Sequence, residues 1–208
     1  MPLPVCPSAR LPVLLLAVLV SPLQAQAPAD SADLPPAGFG TLRQDDVAVR
    51  FATTNLQVRV LPLDERVIRL LATDTYAALH QLLAARAGDI DRMAAQHALR
   101  RPQLFLVTFF GLQPLSEFAP DEIVITSQNR LFRPVGILPI SAQWGDLRLA
   151  QRETASAIYL MEEGIALSQP LLVAYGAVTS PQWEQSVRAL DVERSRVYSR
   201  AAAAPRLN

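Results

Sequence analysis

The chain changes its hydrophobic rhythm several times, and each change marks an element. Apolar and polar residues alternate over 47–51 (VAVRF) and again over 56–60 (LQVRV), the period of a half-buried strand. Thr53, Thr54 and Asn55 between them are turn material. Residues 67–71 read either as a third strand or as the lead-in to a helix. From 74 the period lengthens: Tyr76, Leu79 and Leu83 form one helical stripe behind Asp74, a suitable N-cap. Gly88 is expected to stop this helix, Asp89 to cap a second one over 90–100, and Pro102 to end it.

Residues 104–110 (LFLVTFF) are apolar on both faces, as in a central strand covered from two sides. Residues 123–126 and 131–133 flank Ser127-Gln128-Asn129-Arg130, a hairpin pattern. Residues 147–150 form a short candidate strand. The runs ASAIYLM (155–161) and LLVAY (171–175) are stronger ones, separated by the turn Glu162-Glu163-Gly164. A closing helix is expected over about 181–201, with Ser180 as N-cap and Pro181 as its first residue. Trp183, Val187, Leu190, Val197 and Ala201 share its apolar face, and Arg194 falls on the same face.

About eight short strands without strand–helix alternation argue against a doubly wound α/β fold. The expectation is a mainly β chain: an Ig-like β-sandwich with a helical insertion at about 74–100 and a C-terminal helix, in one domain over 47–203 with a tail at 204–208. A mixed α+β sheet is the alternative.

The N-terminal 29 residues read as a signal peptide. Arg10 is the only charge before Asp30, and residues 11–20 (LPVLLLAVLV) have the length of a signal core rather than of a membrane span. Cleavage is expected after Ala25, Ala27 or Ala29, with Ala27 disfavoured because Pro28 follows it. The alternative is an uncleaved N-terminal anchor. Residues 30–46, rich in Pro, Ala and Gly, read as a linker or arm. The expected location is periplasmic or extracellular, with no transmembrane span once the leader is cut.

Composition narrows the chemistry. The 208 residues carry 19 basic and 19 acidic side chains, so bulk charge does not point to nucleic acid. The only cysteine, Cys6, lies in the leader, which leaves a mature chain without disulfide, thiol nucleophile or thiolate metal ligand. Every basic residue is arginine, which removes Schiff-base and Ser–Lys chemistry.

The run from 103 to 176 resembles the Ig-like sandwich modules of exported bacterial proteins of unknown function. The resemblance is carried by QLFLVTFFG, FAPDEIVI, LFRPVGILP, RETASAIYLME and PLLVAYG. It implies a two-sheet framework and transfers no catalytic or binding residue. The helical stretch at 74–100 and the last helix depart from a plain module of that kind.

Three groups of residues stand out. His80 and His97, the only histidines, lie on the two expected helices, and with Tyr76 they could line a ligand pocket. No HExxH motif or third ligand accompanies them, so no metal is expected, and no cofactor. Asp89-x-Asp91 and Asp45-Asp46 lack the ordered series of a calcium loop. Arg194 on an apolar stripe calls for a carboxylate partner, from Asp64, Glu65 or Asp191, or else for an anionic ligand. Finally, the loop 129–145 sets Arg130 and Arg133 beside Phe132 and Trp144, the composition of a protein-contact surface, unless the two aromatics plug the end of the sandwich. The functional expectation is a non-enzymatic exported module that binds another protein or supports an assembly. The alternatives are a carrier or sensor of a small apolar or anionic ligand and, less favoured, an enzyme built on the histidines.

Overall fold

The computed structural model describes residues 34–204. The expected leader, its cleavage sites and all of the expected tail beyond Ala204 lie outside the described residues. The chain opens with a short helix, α1 (Gln44–Val47), and runs into β1 (Val49–Ala52) and β2 (Leu56–Pro62). Two helices follow, α2 (Glu65–Ile68) and α3 (Thr73–Gln96), then β3 (Gln103–Gly111) and the two-residue β4 (Ser116–Glu117). Next come β5 (Ile123–Ser127), β6 (Arg130–Phe132), β7 (Pro134–Pro139), β8 (Arg148–Leu149) and β9 (Thr154–Met161). The chain closes with β10 (Leu171–Tyr175), β11 (Val178–Ser180) and α4 (Trp183–Ala203).

All strand pairings are antiparallel among the described residues, and the framework is mainly β. A five-stranded sheet has the order β1-β2-β3-β9-β7, a four-stranded sheet the order β11-β10-β5-β6, and β4 pairs with β8. The expected hairpin forms with Ser127 opposite Arg130. Gln128 and Asn129 between them both have positive φ, the conformation a two-residue turn with the right twist demands. The chain changes sheets at Arg133, between β6 and β7, and β1 lies beside β11 at the opposite edge.

Phe109 of the five-stranded sheet and Tyr175 of the four-stranded sheet meet in a layer of aromatic rings. Phe109 of β3 stacks on Phe118 at 4.7 Å and lies 5.5 Å from Tyr175 of β10. Trp144 adds edge contacts to Phe118 at 5.2 Å and Tyr159 at 6.1 Å. The polar tips stay paired: Tyr159 donates to the Pro120 carbonyl, and Tyr175 accepts from the Ala119 N–H. Burial pushes both phenols above their ordinary range, as expected when charge would have to form in an apolar layer.

Three expectations need correction, and a fourth is decided between its two alternatives. First, 73–96 is one helix rather than two. Gly88 lies inside it with open space around its α-carbon, and Asp89 pairs with Arg86 and Arg92 instead of capping. A single glycine costs a helix only about 1 kcal/mol, too little to break one supported on both sides. Second, of the two readings of 67–71 the helical one holds: the stretch runs from α2 toward α3 and forms no strand, and Asp64 caps α2 by accepting from the Arg66 N–H at 2.8 Å. Third, α4 begins at Trp183, with Gln182 rather than Ser180 at its N-cap. Fourth, from residue 34 the expected linker belongs to the folded body. Leu42 bridges Leu71, Thr73 bonds the Gly38 carbonyl, and Gly40 sits so close to the backbone of Leu70 and Leu71 that a Cβ would lie 2.3 Å from it.

Candidate functional site

The outward face of the five-stranded sheet divides into two halves. Strand alternation aims Val58, Val60, Phe105, Val107, Phe109, Ala157 and Tyr159 inward, and all are buried. It aims Leu61, Leu106, Ile158 and Leu138 outward in one cross-strand row, followed by Leu104, Leu160 and Gly136 in the next. Leu61, Ile158 and Leu160 are nonetheless almost fully buried, and this half of the sheet carries helical cover at β7. α3 supplies it, with Met93 seated on Gly136.

The other half is open and polar. Its central row runs Arg50–Arg59–Thr108–Ser156, each residue directly opposite the next. The neighbouring row runs Ala52–Gln57–Phe110–Thr154. The Thr108 and Ser156 hydroxyls lie 3.0 Å apart, and the Ser156 N–H donates to Ser141 Oγ at 2.8 Å. These bonds hold the row in register. At its end α1 places Asp45, whose carboxylate lies 3.3 Å from Arg50 and 3.8 Å from Arg59. Asp45, Arg50, Arg59 and Thr108, with Gln57, Phe110 and Thr154 of the neighbouring row, border a depression of about 280 Å³.

Two cations directly opposite each other in a ladder repel, and one carboxylate does not neutralise both. The depression therefore keeps an excess of one positive charge. Among the described residues neither guanidinium donates a hydrogen bond, so their forked donors remain available to a ligand oxygen. Arg50 is also anchored through its backbone, whose N–H donates to Gln182 Oε1 at 2.8 Å. The alternation VAVRF and LQVRV already aims Arg50 and Arg59 away from the core. That they pair across a ladder and share Asp45 depends on register and on α1, which periodicity does not carry.

The three sequence-predicted groups fare differently. Tyr76 and His80 do meet, with rings 5.5 Å apart, around Glu65. Glu65 accepts from Arg69 Nε at 2.5 Å and from the Tyr76 hydroxyl at 3.4 Å, and its other oxygen lies 3.1 Å from His80 Nδ1. Burial and the Glu65 carboxylate raise the Tyr76 phenol, while the bond to Glu65 raises Arg69. This cluster ties α2 to α3, and Arg69 extends it to the Pro35 carbonyl. His97, by contrast, is exposed at the far end of the same helix. At about 1.5 Å per residue, roughly 25 Å of helix separates the two imidazoles. A joint two-histidine site is thereby corrected.

Arg194 finds its partner at Asp191, 2.8 Å away and one turn back. The buried charge on that helix is Glu193, 1% exposed, which sequence reading missed. The stretch 129–145, expected as a loop, consists largely of β6 and β7, and its aromatics are not presented at the surface either. Phe132 is buried in the four-stranded sheet beneath the Arg130 guanidinium, which lies 4.7 Å from its ring centre, and Trp144 belongs to the aromatic layer. Arg130 is paired with Glu162, and Arg133 is exposed at the sheet crossover. The expected contact surface thus reduces to its arginines.

A second depression, about 340 Å³, lies by the hairpin between Thr126, Gln128, Gln169 and Leu172. Its one charged wall residue, Glu184, already pairs with Arg188. Among the described residues no three His, Cys, Asp or Glu side chains converge on a point that would hold a metal ion. Likewise no described helix is long and apolar enough to cross a membrane. No protein-family model matches the chain, and neither a curated protein nor a solved structure matches it.

Proposed function

We propose that this is an exported, non-enzymatic binding module whose ligand is another protein. The N-terminal pattern supports export, and the two antiparallel sheets meeting across an aromatic layer support an Ig-like sandwich as its framework. The reading is carried by one observation: half of the outward sheet face is open, polar and rigidly registered, with two arginines sharing a single carboxylate. Residues aimed from paired strands are held more closely in place than residues on a loop, and the four-residue row through Arg50 and Ser156 is of that kind.

The test is a crosslinked pull-down of residues 30–208 from native envelope extract, run beside a Thr154→Trp variant that fills the depression. A protein retained by the unaltered chain and lost from the variant supports the reading. Capture that ignores the substitution rejects this face. A carrier of a small anionic ligand is the second reading, favoured by the size and positive charge of the same depression. It predicts that no protein is retained while small anions still bind.

A further inference from the structure

The open half-face holds a carboxylate of its own. Asp45 is a carboxylate on a short piece of chain laid against the Arg50–Arg59 pair. It lines the depression, and more than half of its side chain is exposed. Charge-assisted N–H···O bonds run at about 2.7–2.9 Å, so 3.3 and 3.8 Å mark attraction without full engagement. The arrangement is an under-neutralised double-arginine seat with a weakly held internal occupant. Guanidinium forks match carboxylates in pairs of parallel bonds, and Gln57, Thr108 and Thr154 supply hydrogen-bonding groups for a backbone passing beside them.

We propose that the Arg50–Arg59 pair is a carboxylate-recognition site for an acidic segment of the partner protein, with Asp45 as a built-in competitor that the partner's carboxylate displaces. This rests on the reading of the half-face as a protein-binding surface. An acidic peptide is favoured over a lone inorganic anion for two reasons. The depression, at about 280 Å³, is several times the size of one such ion, and it runs along two cross-strand rows rather than closing around a point. The seat is also inexpensive to the fold to alter: opposed like charges cost stability, so neutralising one arginine relieves repulsion.

The experiment is a calorimetric titration of residues 30–208 with a capped hexaglutamate peptide, using hexalysine and inorganic phosphate as the other arms. The unaltered chain binds hexaglutamate saturably and hexalysine not at all. Arg50→Gln and Arg59→Gln each weaken binding by about tenfold or more, within the range for truncating a charged interface pair. Asp45→Asn tightens it several-fold, an outcome that general attraction to an arginine-rich surface does not require at this one position. Thermal melts confirm that each variant is folded. Absent hexaglutamate binding, binding unchanged by both arginine substitutions, weaker binding in Asp45→Asn, or binding of phosphate alone each overturns the proposal. If Thr154→Trp abolishes capture of a protein while Arg50→Gln and Arg59→Gln do not, the half-face is the binding surface and its specificity is not for carboxylates. If Thr154→Trp has no effect on capture, the surface itself is wrong.

Discussion

Thr41 gives both its backbone N–H and its hydroxyl to one carboxylate oxygen of Glu193, each at 2.9 Å, across 152 residues of chain. The same oxygen accepts from Arg200, a little under two turns further along α4. This triple contact clamps the N-terminal segment onto the last helix and explains why a carboxylate is tolerated with 1% exposure. Glu193→Ala is expected to cost roughly 3 kcal/mol, because it leaves the Thr41 donors and a half-buried guanidinium without their acceptor. Urea denaturation of residues 30–208 measures it. A cost no larger than that of a surface substitution would show that the clamp does not hold the segment.

Asp64 carries the acid dependence of the α2 corner. Burial by itself raises its pKa, but the side-chain and backbone bonds from Arg66, with the Arg66 charge, outweigh this and hold it below its ordinary value. A folded value below the unfolded one means the ionised form favours folding. The contribution is therefore complete above the unfolded value of 3.8 and disappears as pH falls through the lower, folded value. Asp64→Ala should lower stability by about 1 kcal/mol near pH 7, in line with loss of an N-cap. The gap between the two proteins should narrow at the acid end below 3.8. Denaturation midpoints at a series of pH values test this, and a gap that grows on acidification would contradict it.

Two glycines should respond in opposite directions to alanine. Gly88 has open space around it inside α3, so Gly88→Ala is expected to stabilise by about 0.5–1 kcal/mol through helix propensity and a less flexible unfolded chain. At Gly136 a Cβ would lie 2.2 Å from Met93 Sδ and 2.7 Å from its Cγ. Gly136→Ala should therefore destabilise by about 1–3 kcal/mol, the usual range for overpacking. Pairing it with Met93→Ala should recover part of the loss. Thermal melts of Gly88→Ala, Gly136→Ala, Met93→Ala and the double variant decide the matter, and additive losses in the pair would mean that Met93 is not what the new methyl meets.

Trp144 is expected to matter for stability and not for surface contacts. Its ring touches Phe109, Phe118 and Tyr159 between the sheets. Trp144→Ala should cost about 3–5 kcal/mol, as for other large core truncations, and should diminish the near-ultraviolet dichroism of the aromatic layer. Arg133→Ala, on the exposed crossover, should leave the melting curve nearly unchanged. If the two behave alike, the loop does not divide into core and surface in this way.

Several elements were legible because their signals are local. The 171–175 strand matches β10 residue for residue, and the hairpin at 127–130 turns through two residues of positive φ, of which Asn129 is suited to it. Gly88 misled because the same residue that ends an unsupported helix is carried inside a helix packed on a sheet. Phe132 and Trp144 misled because exposure is not a local property: an aromatic beside arginines has the same sequence whether the next sheet covers it or not. Glu193 gave no signal at all, since its partners Thr41 and Arg200 are set by where the N-terminal segment docks.

By itself the order of residues determined several of the strands, where the long helices fall in outline, and that Arg50 and Arg59 point away from the core, because each depends on periodicity over a few neighbours. Only the tertiary structure decided that these two arginines face each other, that Asp45 lies between them, and that helical cover falls on one half of the sheet and leaves theirs open. Those relations join residues distant in the chain through strand register and helix docking. They are fixed when the whole apolar surface is buried together, and no local stretch encodes them.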